Sequence, residues 1–132
     1  MALLEVNQIT KRFGGLVAVN SLSLTLEAGH IAALIGPNGA GKTTAFSVIA
    51  GFYRANEGSV TFDGKDITRM RPDEICKLGL TRTFQVVRPF QGISVLKNVM
   101  IGAYNHTSDD AVARKHAYEV LEFMGMESWA DR

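Results

Sequence analysis

The sequence predicts an α/β fold, and three consecutive segments support this prediction. Residues 31–35 form a short unbroken apolar run, which is typical of a strand buried on both faces. The next segment, residues 36–44, reads Gly-Pro-Asn-Gly-Ala-Gly-Lys-Thr-Thr. In it, four residues separate the first glycine from the triplet Gly-Lys-Thr. Residues 42–50 are good helix formers and end before Gly51. A strand, a glycine-rich loop and a helix in this order predict a phosphate-binding loop.

The residue types in this loop suit an anionic ligand. Glycine at positions 36, 39 and 41 allows backbone angles that a Cβ would forbid, so successive amides can point at a phosphate. The start of the helix adds unpaired N–H groups and the positive end of its dipole. Lys42 is expected to reach the β- and γ-phosphates, and the Thr43 hydroxyl is expected to bind Mg²⁺. An ordinary glycine-rich turn is the alternative, and the flanking strand and helix favour a nucleoside triphosphate site. The expected nucleotide-binding residues are Gly36, Pro37, Asn38, Gly39, Ala40, Gly41, Lys42, Thr43 and Thr44.

The composition is that of a soluble globular domain. The chain has 132 residues, of which 46% are apolar and 20% charged. Its net charge of +1 gives no basic field for nucleic acid or anionic lipid. Cys76 is the single cysteine, which excludes an internal disulfide, and we interpret it as a packed side chain. No leader and no membrane-spanning run is evident, so we expect an intracellular chain that reaches a membrane only through a partner.

An antiparallel sheet is predicted beside the nucleotide core. Residues 3–6 suggest a first strand, and residues 21–26 alternate hydroxyl side chains with leucines, as a half-buried antiparallel strand does. Residues 27–30 are expected to form a tight turn into the apolar run. Residues 59–67 indicate a hairpin around an Asp-Gly turn. This turn explains Asp63 better than a role as a Mg²⁺ ligand.

The later part of the chain is predicted to be mostly helical. A short helix is expected over residues 72–78, and a further strand over Leu80–Phe84. Ser94 is a good N-cap for a helix over 95–103, and a longer helix is expected from about residue 108 to 124. The apolar stripe of this last helix is predicted to be Ala117, Val120, Leu121 and Met124. His106 and His116 are interpreted as surface residues.

Two apolar features leave alternatives open. Phe13 lies in a loop before the phosphate-binding segment and could stack on a base or fill the core. Val86, Val87, Pro89 and Phe90 form an apolar loop after Gln85 that could fold beneath the helices or dock a partner.

Taken together, these segments resemble the ATP-binding subunit of an ABC (ATP-binding cassette) transporter. The loop at 36–44 has that family's form, Phe13 stands where its adenine-stacking aromatic is expected, and Gln85 matches its glutamine loop. Further segments are similar to the ATPases of branched-chain amino acid importers: residues 11–20, 51–53, 81–85, 88–90 and 94–99. The resemblance covers essentially the whole chain.

The resemblance implies an α/β phosphate-loop NTPase core with an adjoining antiparallel β-subdomain and the start of an α-helical subdomain. Residues 1–84 would be the nucleotide-binding core with its β-subdomain, and residues 85–132 the glutamine loop and a partial helical subdomain. The implied cofactors are ATP and Mg²⁺. Lys42 and Gln85 would be catalytic, and Thr43 and Gln85 would contact the metal.

The implied activity is ATP hydrolysis coupled to import of branched-chain amino acids or a related small polar solute. The implied partners are transmembrane permease subunits, a second ATPase subunit and, indirectly, a periplasmic or extracellular solute-binding protein, with no nucleic acid. The expected location is the cytoplasmic face of the inner membrane, reached through the permease.

The resemblance also defines what the sequence does not contain. The family's signature motif, its Walker B strand and its switch histidine do not occur in these 132 residues. We therefore expect an N-terminal fragment of a longer subunit, inactive in hydrolysis by itself. The alternative is a non-transport ABC ATPase acting on DNA or ribosomes, in which a long insertion usually follows the glutamine; here the helical pattern resumes promptly. A phosphate-loop kinase would lack Phe13 and Gln85 at these positions.

Overall fold

The structure is a computed structural model that describes residues 2–132. The chain divides into two units, one extending through Arg82 and the other comprising Thr83–Arg132. The first unit contains a four-stranded sheet and two helices, and the second contains two helices and a short 3₁₀ helix.

The sheet of the first unit is antiparallel throughout, as the sequence predicts for this region. Its strands are β1 (Leu4–Phe13), β2 (Leu16–Leu26), β3 (Glu57–Phe62) and β4 (Lys65–Asp66), in the order β2-β1-β3-β4. Strands β1 and β2 are longer than predicted and are joined at the adjacent glycines 14 and 15.

The predicted alternation and turns of the sheet are confirmed. The three leucines of residues 21–26 are half-buried, and the three hydroxyl side chains between them are exposed. The backbone N–H of His30 donates to the Glu27 carbonyl at 3.2 Å, which closes the predicted turn. Asp63 and Gly64 have φ angles of 48° and 79°, as a two-residue hairpin turn with two left-handed residues requires.

An apolar core holds the first unit together. Helix α1 (Lys42–Ile49) packs on β1 and β2, and helix α2 (Pro72–Lys77) forms where the proline and acidic residues predict it. The buried core residues are Val6, Ile9, Val19, Ala45, Val48, Ile49, Val60, Ile67 and Ile75. Burial of these side chains provides most of the driving force for this unit.

Two predicted strands are wrong. Residues 31–35 and Leu80–Phe84 are not strands, and within the described range 2–132 neither segment pairs with a neighbour. Ile31 is 101% exposed and Ile35 is 91% exposed, although both belong to an unbroken apolar run. A strand buried on both faces needs a hydrogen-bonded neighbour and covering layers, and apolar composition alone does not supply them.

The second unit is a helical pair with capped N-termini. Helix α3 (Val95–Ala103) begins at Ser94, whose hydroxyl accepts from the Lys97 N–H at 3.2 Å. Helix α4 (Asp110–Phe123) begins at Asp109, whose carboxylate accepts from the Ala111 N–H at 2.8 Å. Both helices confirm the sequence prediction, with α4 starting two residues later than Ser108.

The core of this unit corrects the predicted stripe of α4. The buried residues are Leu96, Met100, Ala113, Ala117, Leu121 and Ala130. Val120 and Met124 are 50% and 61% exposed, because the side of α4 that faces α3 follows a four-residue spacing through Ala117 and Leu121. His106 and His116 are exposed, as predicted. Across residues 2–132, every helix is too short or too polar to cross a bilayer.

Candidate functional site

The glycine-rich loop ends in two left-handed residues that direct it into α1. Gly39 has a φ angle of +86°, and Gly41, the N-cap of α1, has a φ angle of +90°. Between them, the Ala40 N–H donates to the Pro37 carbonyl at 3.1 Å and closes a tight turn. These angles are accessible to glycine at little cost, which explains the residue type at both positions.

Gly41 also sets how closely the loop approaches the sheet. A Cβ at this position would lie 2.0 Å from the backbone oxygen of Ala18 and 3.6 Å from a methyl of Val19, both in β2. A Cβ at Gly39 would meet nothing within 4 Å. The end of the loop is therefore packed against β2, whereas its middle is open.

The N-terminus of α1 is available to a ligand. Within residues 2–132 no side chain caps it, and its first turn contains no acidic residue. The first intrahelical bond runs from the Ala45 N–H to the Gly41 carbonyl at 2.8 Å. Among the described residues, no side chain accepts from the N–H groups that precede Ala45, and the first turn has no carboxylate to compensate the positive end of the helix dipole. This arrangement is suited to an anion.

Lys42 places a full positive charge on the loop. Its side chain is half-buried and bends back, and Nζ donates to the carbonyls of Gly36 and Pro37, the latter at 3.0 Å. The ammonium thus lies across the loop, where it would meet phosphate oxygens held by the same backbone.

Thr43 fits the role of a magnesium ligand. It lies in the first turn of α1, directly after Lys42, and its side chain is exposed. Mg²⁺ requires six oxygen ligands and usually takes several from phosphates and water, so one protein hydroxyl is compatible with such a site. Among residues 2–132, no group of three or more His, Cys, Asp or Glu side chains forms a separate metal site.

The cavity beside the loop is not suited to a triphosphate. It has a volume of about 160 Å³, and its lining is largely apolar: Val19, Leu22, Leu34, Ile35 and Ala45, with Asn20, Ala40, Gly41 and Lys42 at the loop. Apolar walls provide no compensation for the lost hydration of phosphate. The exposed amides and Lys42 make the loop itself the candidate anion site.

Phe13 is not a core residue. It ends β1 and is 42% exposed, which rules out the alternative that it fills the core. Its ring makes an edge-to-face contact with Tyr53, with ring centroids 5.2 Å apart. Lys11 Nζ lies 5.0 Å from the Phe13 centroid and 5.9 Å from the Tyr53 centroid. Sequence reasoning missed Lys11 and Tyr53, because 40 residues separate Phe13 from Tyr53 and only the fold brings them together.

Gln85 and the apolar loop that follows it belong to the second unit. Gln85 is exposed, and Val86, Val87 and Phe90 are 71%, 78% and 59% exposed. Asn98 of α3 holds the loop by its backbone: the Phe90 N–H donates to Oδ1 at 2.8 Å, and Nδ2 donates to the Phe90 carbonyl at 3.1 Å. The backbone is therefore anchored at Phe90, and the exposed apolar side chains do not fold beneath the helices of this unit.

Comparison with known proteins identifies relatives of the whole chain. A family model described as ABC transporter matches residues 19–132. A probable branched-chain amino acid transport ATP-binding protein, LivG of Archaeoglobus fulgidus, is 38% identical over 96% of this chain and 54% of its own length. The high-affinity branched-chain amino acid transport ATP-binding protein BraF of Pseudomonas aeruginosa is 40% identical over 84% of this chain and 44% of its own.

The fold has a match among solved structures. The crystal structure of an ATP-binding cassette of an ABC transporter in its ADP conformation aligns with a TM-score of 0.85 and 34% identity. The alignment covers 100% of this chain and 57% of that one. The chain thus spans about half the length of the relatives it matches.

Proposed function

This chain belongs to the ABC transporter family of ATP-binding proteins, and we propose that it is the nucleotide-binding part of a subunit that couples ATP hydrolysis to solute import. Two relatives named for branched-chain amino acid transport support a branched-chain amino acid, or a related small polar solute, as the cargo. Both are named for transport, so they lend no support to an ATPase acting on DNA or ribosomes.

The observation that carries the proposal is the combination of Gly41, Lys42 and the uncapped start of α1. The left-handed glycine brings the loop against β2, the first helical N–H groups have no side-chain acceptor, and the lysine ammonium lies across the loop carbonyls. A bound triphosphate would accept hydrogen bonds from the amides and replace the carbonyls as the partner of Lys42.

The proposed chemistry is hydrolysis of the γ-phosphate by in-line attack of water, in which positioning and charge stabilisation supply most of the rate. Lys42 would hold the β- and γ-phosphates, and the Thr43 hydroxyl would contribute one metal ligand. Mg²⁺, when bound, neutralises charge on the phosphates. Gln85 is assigned by family resemblance to the metal and the attacking water.

The proposed partners follow from the transport role. Transmembrane permease subunits would place the chain at the cytoplasmic face of the membrane, a second ATPase subunit would complete each nucleotide site, and a solute-binding protein would act indirectly. The exposed side chains of Val86, Val87 and Phe90 on a loop fixed by Asn98 support this loop as the permease contact.

ATP binding by the chain tests the proposal directly. Lys42→Ala should raise the dissociation constant for Mg-ATP by about 10- to 100-fold, because charge-assisted hydrogen bonds contribute roughly 1.5–3 kcal/mol. Isothermal titration calorimetry measures the constant, and far-UV circular dichroism checks the fold. Lys77→Ala, an exposed lysine in the last turn of α2, is the matched control and should bind as the parent chain does. Equal affinity in the Lys42 variant and the parent chain would exclude the loop as the triphosphate site.

A further inference from the structure

Three side chains form a cluster at the end of β1 that the phosphate loop does not explain. Lys11, Phe13 and Tyr53 bring an ammonium group and two rings together, with the rings inclined at 80°. Phe13 and Tyr53 are 42% and 45% exposed, and neither belongs to the apolar core. Lys11 and the ring contact cover part of the two rings, but both rings remain partly exposed, so the pair still offers aromatic surface to a ligand.

Tyr53 is held in place from two directions. Its backbone N–H donates to the Ser47 carbonyl at 3.3 Å, which ties it to the end of α1. The residues after it run along β1, where the Asn56 N–H donates to the Thr10 carbonyl at 2.8 Å and Asn56 Oδ1 accepts from the Arg12 N–H at 2.7 Å. The tyrosine is therefore fixed at both sides of its chain segment.

The cluster lies close to the phosphate loop through β2. Lys11 pairs with Val19 across the β1–β2 ladder, and Val19 is the residue whose methyl would lie 3.6 Å from a Cβ at Gly41. The start of α1 and the aromatic cluster are thus separated by one strand pair. A nucleotide that is bound with its phosphates on the loop and extends toward β1 would place its base beside this cluster.

We propose that Tyr53 is a positioning residue for the nucleotide base: its ring packs against Phe13 and fixes the orientation in which Phe13 stacks on the base. This rests on the proposed function, because it needs the triphosphate on the loop. Tyr53 acts through its ring, since the interaction it makes with Phe13 is an edge-to-face ring contact. Loss of this support should weaken base stacking and leave phosphate binding unchanged.

The test compares two ligands on the 132-residue chain: Mg-ATP, which has a base, and inorganic tripolyphosphate with Mg²⁺, which has none. Tyr53→Ala should raise the ATP dissociation constant by about 5-fold, a part of the stacking contribution of an aromatic platform. Its tripolyphosphate constant should stay that of the parent chain. Tyr53→Phe should restore ATP binding. Tyr118→Ala, an exposed tyrosine on α4, is the control for removing a surface ring.

The outcomes separate this inference from the proposed function. If Tyr53→Ala weakens ATP and tripolyphosphate equally, Tyr53 only supports the fold and the inference is wrong. If it changes neither constant, or if Tyr53→Phe fails to restore ATP binding, the inference is also wrong. If the parent chain binds neither ligand, the proposed function fails and the inference fails with it.

Discussion

Strand β1 and residues 31–35 both belong to the first unit and both contain isoleucine, but they adopt different structures. Ile9 of β1 is completely buried, at 0% exposure, whereas Ile31 is 101% exposed. β1 pairs with β2 on one side and β3 on the other, while residues 31–35 have no strand neighbour within the described range. The unbroken apolar segment is thus the exposed one, and the presence of strand partners, not the apolar content, determines which segment is buried.

The difference shows which strands have a pairing partner close by in the sequence. β2 follows β1 after a turn of two glycines, and β4 follows β3 after Asp63 and Gly64, so each pair forms from a short stretch of sequence. A parallel-type strand pairs only through a crossover connection of a dozen or more residues. Residues 31–35, predicted to be a strand of this second kind, have no such partner within residues 2–132.

Replacing one isoleucine by alanine in each segment tests this comparison, and it has the largest expected effect on the free energy of unfolding. Ile9→Ala should lower the free energy of unfolding by about 2–5 kcal/mol, because it removes buried methyl groups and leaves a cavity. Ile31→Ala, the matched control with the same chemistry, should change it by less than about 0.5 kcal/mol because the side chain is exposed. Urea denaturation followed by circular dichroism measures both. Comparable losses in the two variants would mean that residues 31–35 are packed in solution.

The features of the fold that could be predicted from the sequence are those set by a few adjacent residues. The Asp63-Gly64 turn, the Ser94 cap and the glycine loop are recognisable because each depends on a few adjacent residues. The two wrong strands and the missed Tyr53 depend on contacts between residues far apart in sequence. In the candidate site, residue types predicted the loop at 36–44, but the close approach of Gly41 to Ala18 follows only from the packing of α1 on the sheet.

A second comparison concerns two glycines of the phosphate-binding loop: Gly41, which is packed against β2, and Gly39, which is not. Gly41→Ala places a Cβ 2.0 Å from the Ala18 oxygen at a positive φ angle, so it should cost about 3 kcal/mol in unfolding free energy. Gly39→Ala meets nothing within 4 Å and should cost about 1 kcal/mol, from its left-handed backbone alone. Thermal denaturation of the two variants gives the difference. Equal losses would show that the end of the loop is not packed against β2.

The smallest expected effect lies at the β3–β4 hairpin and depends on pH. Thr68 donates to Asp66 Oδ1 from its hydroxyl at 2.5 Å and from its N–H at 2.9 Å, and these bonds lower the pKa of the Asp66 carboxyl. A lowered pKa favours the carboxylate in the folded state. Its contribution to stability is therefore present above the unfolded-state pKa of about 3.9 and is lost as the pH falls through the lower folded-state value.

Asp66→Asn should accordingly lose less stability than the parent chain between pH 6 and pH 3, by a small margin because Asp66 is exposed. Urea denaturation at several pH values measures the slope. Thr68→Val removes the hydroxyl, which is the main cause of the shift, and should flatten the profile in the same direction, whereas Thr68→Ser keeps the hydroxyl and should follow the parent chain. If Thr68→Ser and Thr68→Val give the same profile, the hydroxyl does not hold the carboxylate. The stability of this hairpin would then rest on its Asp-Gly turn and on the burial of Val60 and Ile67.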